Sequence, residues 1–173
     1  MKPFITNASE GGRYLLRLQT EGVHRDQIAD AFSSRSIVAY ALPEGHTLKC
    51  AWQCRIFLDN NDVFEFSSAC TEVAGWQEVG SLNIERIRMV ENSADAIFRR
   101  VGIENFAIVS VDCLVYETPD VYAECGIVLR AISGEEVIIA AGVSPGSVSV
   151  QAPFSSLPFD PEFSLPDYTR AKF

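Results

Sequence analysis

Every even position from Leu48 to Leu58 is apolar, whereas the odd positions before Phe57 are Lys49, Ala51, Gln53 and Arg55. A period of two predicts a β-strand with one buried face. The alternation stops at the polar residues Asp59 to Asp62 and resumes from Val63 to Phe66. The chain is therefore expected to fold back as an antiparallel hairpin, and its core to be built at least partly from a sheet.

The two faces of this hairpin restrict the length of its loop. A loop of two or four residues would place the carboxylate of Glu65 opposite Ile56, on the apolar face. A loop of three residues, Asn60 to Asp62, avoids this, and Asn or Asp can adopt the left-handed conformation that such a loop often needs. The predicted opposed pairs are Leu58 with Phe64, Ile56 with Phe66, Cys54 with Ser68, and Trp52 with Cys70.

Further elements follow from the same patterns. A second cluster of strands, separated by turn residues, predicts a three-strand antiparallel meander. Its first pair is expected to oppose Val115 with Ala123, Cys113 with Cys125, Val111 with Ile127, and Val109 with Leu129. Ser93 is a predicted helix N-cap, followed by apolar residues at helical spacing and by Gly102 as a terminator. The predicted elements are strands over Arg13–Gln19, Ile37–Leu42, Ser81–Val90, Asn105–Glu117, Val121–Ile132 and Glu136–Val143, with helical stretches over His24–Phe32 and Ser93–Val101.

The composition changes after Val143, because five of the eight prolines fall in the last 31 residues. Regular structure is expected to end there. Aromatic residues recur through the same segment, which is unlike an inert linker. We predict one domain over residues 1–143 and an extended arm rich in Pro and Phe over residues 144–173, packed on the domain or on a second subunit. The predicted fold class is α+β: a mostly antiparallel sheet of hairpins and a meander, one or two short helices, and this arm.

Composition and charge exclude several classes of function. The chain has 173 residues, of which 23 are acidic and 14 basic, for a net charge of −9. Such a field repels nucleic acid and anionic lipid, whereas a basic protein partner remains compatible with it. No apolar run approaches the length of a signal peptide or a membrane span, which favours a cytoplasmic protein. The five cysteines lie in apolar runs and are expected to be reduced thiols.

Motifs of catalysis and of cofactor binding are not found. The chain has no glycine-rich phosphate loop and no nucleophile elbow, and His46, Cys50 and Cys54 lie too far apart on a strand to share one metal ion. The sequence therefore predicts no cofactor, no metal and no catalytic residue, and it favours a protein that is not an enzyme.

Two carboxylates interrupt the apolar strands of the meander. Asp112 lies on the face that carries Ser110 and Leu114, and the predicted register brings Glu124 near it. A pair of like charges in a half-buried cleft can perform acid/base work or bind a cation. Asp112 and Glu124 are accordingly the candidate ligand-binding residues of a small-ligand binder or enzyme, although a solvent-exposed sheet face also explains them.

The first hypothesis is instead a non-enzymatic acidic binding module for a protein partner or for a second copy of the chain. A general parallel exists with small acidic immunity proteins that mask basic toxins, an analogy of class without a shared motif. Aromatic rings that recur in the proline-rich arm, together with a tryptophan between two glycines, would be sticky if left in water and are candidate contact residues. The predicted partner-binding residues are Trp76, Phe154, Phe159, Phe163 and Tyr168.

Overall fold

A computed structural model describes residues 9–87 and 97–173 of the chain. Within these ranges the protein is mostly β, and its α-helix has five residues and follows a 3-10 turn. The strands are β1 (Ser9–Glu10), β2 (Arg13–Leu16), β3 (Gln19–Glu21), β4 (Ser36–Pro43), β5 (Cys54–Leu58), β6 (Val63–Val73), β7 (Gln77–Ile87), β8 (Phe98–Glu117), β9 (Val121–Ala131), β10 (Glu136–Ala141), β11 (Val148–Gln151) and β12 (Tyr168–Ala171). The helix is α1 (Ile28–Phe32), and 3-10 turns cover Arg25–Gln27, Ala74–Trp76 and Leu165–Asp167.

The strands form a mixed sheet in the order β1-β2-β9-β8-β4-β5-β6-β7-β3. The pairs β2–β9 and β3–β7 are parallel, and the other pairs are antiparallel. Strand β2 lies near one end of this order and β3 lies at the other end. In the sequence the two strands are separated by two residues, Arg17 and Leu18. The predicted mostly antiparallel sheet is confirmed.

The main core lies where β6 and β7 face β9, β10 and β11. Apolar side chains at alternate positions of both layers point into this space, as period-two patterning requires. The short helix α1 adds Ile28 and Phe32, and the Phe32 ring lies 4.4 Å from the Phe64 ring, centroid to centroid. The helix predicted over His24–Phe32 therefore exists in its second half, and the first half contains a 3-10 turn.

The long strand β8 belongs to both layers. Its first half pairs with β4, from Phe98 opposite Pro43 to Ala107 opposite Ser36. Its second half pairs with β9 and, on the other edge, with β12. Irregular registers near Ile108 and between Leu114 and Val115 let one strand turn from one layer into the other.

The hairpin predicted around Asp59–Asp62 is β5–β6, and its odd loop is confirmed. The loop consists of Asp59, Asn60 and Asn61, and Asn61 adopts the left-handed conformation with φ of 68°. The register differs from the prediction by two positions, so that Ile56 opposes Phe64. An even difference keeps every side chain on its predicted face. Asp62 joins the ladder because its backbone carbonyl accepts the N–H of Leu58 at 2.9 Å and its carboxylate binds Arg86 at 2.6 Å.

The strand predicted from Leu48 is wrong for its first half, since β5 begins only at Cys54. The chain turns tightly between Thr47 and Cys50, and Ala51 pairs with Val148. Trp52, predicted to be buried, is 67% exposed. The partner strand lies almost a hundred positions away in the sequence, so the local alternation carries no sign of it.

The helix predicted from Ser93 to Val101 is wrong where the structure describes it. Phe98 to Val101 form the start of β8, and residues 88–96 lie outside the described ranges. Pairing with β4 supplies these residues with partners that the local helical spacing does not reveal. The α content of the described chain is accordingly smaller than predicted. The strand predicted over Ser81–Val90 is confirmed up to Ile87, and residues 88–90 lie outside the described ranges.

The three-strand meander β8–β9–β10 is confirmed, but its register is not as predicted. Cys113 opposes Ile127 instead of Cys125, and a bulge places Glu124 opposite Val115. All five cysteines are free thiols in the structure. Burial raises the pKa of Cys54 and of Cys113 to about 12, which keeps both thiols protonated at neutral pH.

Regular structure does not end at Val143, contrary to the expectation. β11 pairs with β10, and β12 pairs with the second half of β8. The five prolines of this region lie outside both strands, because proline cannot donate to a ladder. Two short strands therefore fit between them.

Candidate functional site

Asp112 lies on β8 and is buried, with 5% of its surface exposed. Its carboxylate forms an ion pair with Lys172 from the segment after β12. Arg130 of β9 lies 3.9 Å away on its other oxygen. The negative charge of Asp112 is thus balanced by two cations of the same chain.

Glu124 lies on β9 and is more deeply buried, at 1% exposed. Arg25 binds it with a guanidinium nitrogen 2.6 Å from Oε1, and the backbone N–H of Leu18 donates to Oε2 at 3.0 Å. The hydroxyl of Tyr122 completes the set at 3.2 Å. Burial is the main cause that raises the pKa of Tyr122, and the neighbouring charge of Glu124 adds to it. This carboxylate holds the connection between β2 and β3 against β9.

The structure does not bring Asp112 and Glu124 together in one cleft. The bulge places Glu124 opposite Val115, and Val115 and Asp112 belong to different faces of β8 by strand alternation. The two carboxylates bind different cations. The arrangement is that of two separate structural ion pairs.

Four of the predicted contact aromatics pack against this chain. The Phe154 ring stacks on Tyr40 with 5.7 Å between centroids, and the Phe163 ring stacks on Tyr116 at 3.6 Å. Tyr168 is buried in β12, and its hydroxyl accepts the backbone N–H of Phe163 at 3.1 Å. Phe159 packs on the same cluster as Tyr168. The backbone of Trp76 closes the turn between β6 and β7, and its side chain lies outside what the structure describes.

A groove with apolar walls lies at the end of β4. Its volume is about 440 Å³, within the range of roughly 300–1,000 Å³ typical of ligand sites. Three segments form it: the end of β4 with the turn after it, the start of β8, and the chain after β11. The residues that line the groove are Tyr40, Leu42, Pro43, Glu44, Gly45, His46, Thr47, Leu48, Arg99, Val101, Ser155 and Leu157.

Strand alternation explains which side chains reach this groove. Tyr40 opposes Val101 and Leu42 opposes Arg99 in the β4–β8 ladder, so these four side chains share one face. The next arginine, Arg100, points to the other face, where its guanidinium lies 4.2 Å from the Phe57 ring centroid. The floor of the groove is apolar and buried at Leu42 and Leu48.

The turn after β4 shapes one rim. Gly45 has φ of 81°, a conformation that side chains other than glycine rarely adopt, and the N–H of His46 closes the turn on the carbonyl of Pro43 at 3.1 Å. The N–H of Glu44 donates to the carbonyl of Ile97 at 2.8 Å, which fixes this turn to the start of β8. The His46 ring lies 4.8 Å from the exposed ring of Trp52.

The chain after β11 forms the opposite wall. Ser155 closes a turn on the carbonyl of Ala152 at 3.1 Å, and its hydroxyl accepts the N–H of Leu157 at 3.2 Å. The stacking of Phe154 on Tyr40 anchors this wall to β4. Leu157 and Val101 remain 45% and 37% exposed, so both walls present apolar surface to solvent. The proline-rich segment after β11 thus contributes one wall of the groove. The Phe154 ring packs against β4, and Leu157 is the accessible apolar side chain of this wall.

Sequence reasoning did not find this groove. Its three segments are far apart in the chain, and the strand predicted to begin at Leu48 and the helix predicted to include residues 98–101 are both wrong there. The strand predicted over Ile37–Leu42, which supplies Tyr40 and Leu42, and the turn predicted at Pro43–Gly45 are confirmed. The pairing of Val101 with Tyr40 makes this segment a strand, which places Arg99 and Val101 on one face.

A second, smaller cavity of about 150 Å³ lies where the segment around Glu162 meets β7. Glu162 Oε2 accepts the backbone N–H of Gly80 at 2.7 Å. A Cβ at Gly80 would lie only 2.6 Å from that oxygen and 2.6 Å from the Cβ of Ala141, so this approach requires glycine. Burial raises the pKa of Glu162 to about 7, and the nearby charge of Glu78 acts in the same direction. Cys70 is exposed as a residue, and partial desolvation of its thiol together with the nearby charge of Glu78 raises its pKa to about 11, so this thiol is not an activated nucleophile.

No cluster of three or more His, Cys, Asp or Glu side chains among residues 9–87 and 97–173 is arranged to hold a metal ion. No helix in those ranges combines the length and the apolar character needed to cross a membrane. In comparison with known proteins, no family model, curated protein or solved structure matches this chain.

Proposed function

We propose that this protein is a non-enzymatic acidic binding module and that the groove at the end of β4 receives a segment of a protein partner. The observation that carries the proposal is the groove itself, with its apolar floor, polar rim and exposed apolar walls. Clefts of this composition are the usual form of binding sites.

The exposed side chains around the groove support a macromolecular occupant. Val101, Leu157 and the nearby Trp52 are large apolar residues that remain accessible. Accessible apolar surface with a polar rim is characteristic of protein contact sites, and tryptophan is enriched among residues that dominate binding energy. The net charge of −9 argues against a nucleic-acid ligand.

The alternative of an enzyme or small-ligand binder built on Asp112 and Glu124 receives less support. Both carboxylates are buried, and each is neutralised by a cation of this chain. A ligand cation would have to displace Lys172 or Arg25. The five free thiols suit a reducing compartment, and we therefore place the module in the cytoplasm.

The test compares two substitutions of the same chemical kind. Val101→Glu introduces a charge into the groove wall, and Ile132→Glu introduces it at a residue that is 90% exposed and does not line the groove. Wild type and both variants are immobilised, and proteins retained from the source lysate are quantified by mass spectrometry. We expect one or more proteins to be retained by wild type and Ile132→Glu and to be reduced at least about tenfold by Val101→Glu, since a charge buried in an apolar contact is costly.

The same variants separate a foreign partner from self-association. If the occupant is a second copy, the solution mass of the wild type will exceed that of one chain, and Val101→Glu will return it to a monomer. Equal retention by Val101→Glu and wild type, together with an unchanged solution mass, would refute the groove as the contact site.

A further inference from the structure

Arg99 is an exposed guanidinium inside an otherwise largely apolar groove. The neighbouring arginines of this region are engaged: Arg100 lies over the Phe57 ring, and Arg55 lies 3.7 Å from the Phe98 ring centroid and binds Glu65. Arg99 makes no ion pair, hydrogen bond or ring contact with any described residue. The guanidinium of Arg99 can therefore bind an anionic group that comes from outside the chain.

The groove contains one carboxylate of its own, at Glu44, but it does not pair with Arg99. Glu44 is exposed on the turn after β4, and that turn is fixed to Ile97 by its backbone. Arg99 stands across the ladder from Leu42, over the apolar floor. Since Arg99 lines the same groove as Leu42 and Leu48, its guanidinium can bind an anionic group of a ligand that occupies the groove.

We propose, on the basis of the function proposed above, that the bound segment of the partner carries a carboxylate next to its apolar anchor residue and that Arg99 binds this carboxylate. The planar guanidinium can donate two parallel hydrogen bonds to one carboxylate, which fixes orientation as well as adding affinity. The apolar floor at Leu42 and Leu48 receives the anchor. The occupant is thus an exposed peptide segment in which Asp or Glu lies close to a large apolar residue.

This assignment runs against the overall charge of the protein. A field with a net charge of −9 slows the approach of an acidic partner, so charge alone would select a basic one. Local complementarity at Arg99 instead selects an acid at one defined position. The two expectations make opposite predictions for the preferred peptide.

The experiment is selection from a displayed library of random twelve-residue peptides. It is performed on wild type, on Arg99→Glu, on the groove-filling variant Val101→Trp, and on Arg35→Glu, an exposed arginine at the opposite end of β4. Thermal unfolding of each variant establishes that it is folded. We expect wild type and Arg35→Glu to enrich peptides with Asp or Glu within two positions of a large apolar residue. Arg99→Glu should lose this acid preference, and Val101→Trp should enrich none of these peptides.

The enriched peptide and its counterpart with Asn or Gln in place of the acid are then compared by fluorescence anisotropy. Wild type is expected to prefer the acidic form by about tenfold, the usual value of one charge-assisted contact, and Arg99→Ala to show no preference. Equal affinities in wild type, or a preference that persists in Arg99→Ala, would overturn the role of Arg99 and leave the groove proposal intact if Val101→Trp still abolishes binding. Enrichment that is unaffected by Val101→Trp, or no enrichment at all, would overturn both.

Discussion

Replacing Glu162 by glutamine is expected to remove a pH dependence from the stability of the protein. The carboxyl group lies against Gly80 in the smaller cavity, and burial is the main cause that raises its pKa from the usual 4.5 to about 7. A folded-state pKa above the unfolded value means that the folded protein holds the proton more tightly. The stabilisation is therefore complete below about pH 4.5 and is lost as the pH rises through about 7.

The magnitude follows from the size of this difference. At about 1.36 kcal/mol per pKa unit, a change from 4.5 to about 7 sets an upper bound of roughly 3 kcal/mol. Glu162 is only partly buried, so solvent screening reduces the effect, and we expect about 1–2 kcal/mol. Glutamine keeps the size of the side chain and an oxygen that can accept the N–H of Gly80, but it does not titrate.

The assay is urea unfolding of wild type and Glu162→Gln at several values between about pH 5 and pH 8. The difference in unfolding free energy between the two proteins cancels the titration of groups that do not interact with Glu162. We expect wild type to lose about 1–2 kcal/mol relative to Glu162→Gln across this range. Glu104→Gln, at an exposed position of β8, is the matched control. Parallel curves for wild type and Glu162→Gln, or a relative gain for wild type as the pH rises, would refute the reasoning.

Three further predictions concern the core and the ion pairs. Phe66→Ala should lower the unfolding free energy in urea by about 3–5 kcal/mol, because Phe66 is fully buried. Glu65→Ala should lower it by about 1–2 kcal/mol, because the Glu65 carboxylate accepts a hydrogen bond from Arg55 at 2.8 Å. Equal losses for the two variants would contradict the assignment of faces. Arg25→Ala should cost about 3 kcal/mol, because it leaves the carboxylate of Glu124 buried without its guanidinium, and a cost below about 1 kcal/mol would count against that pair. Alkylation in denaturant without reductant should add five groups by intact mass, and three additions would reveal a disulfide.

The faces of the hairpin could be predicted from sequence because they depend only on parity. An odd loop places Phe66 inside and Glu65 outside, whichever three residues form the loop. The cost expected for Glu65→Ala could not be predicted in the same way. Local alternation shows that Glu65 leaves the core, but it does not show that Arg55 and Gln53 reach it from the neighbouring strand.

The candidate groove could not be predicted because its geometry depends on pairings between distant segments. Val148 fixes Ala51, and the β4 ladder turns residues 98–101 into a strand. The bulge beside Val115 is also not marked by any local sequence pattern, although it places Glu124 opposite Val115 and away from Asp112. The aromatic residues that recur after Val143 include Phe154 and Phe163, which stack on Tyr40 and Tyr116, and composition alone does not reveal these partners.

The position of β8 between the two layers has a consequence for synthesis of the chain. From Cys113 to Tyr116, one edge of β8 is completed by β12, which begins at Tyr168. When β8 has left the ribosome, its partner along this edge has not yet been translated, so the backbone groups there remain available for pairing with other chains. The nascent chain therefore depends on β12 to close this edge of β8, and translational pausing after β8 has emerged but before β12 is translated should raise aggregation more than pausing at earlier positions.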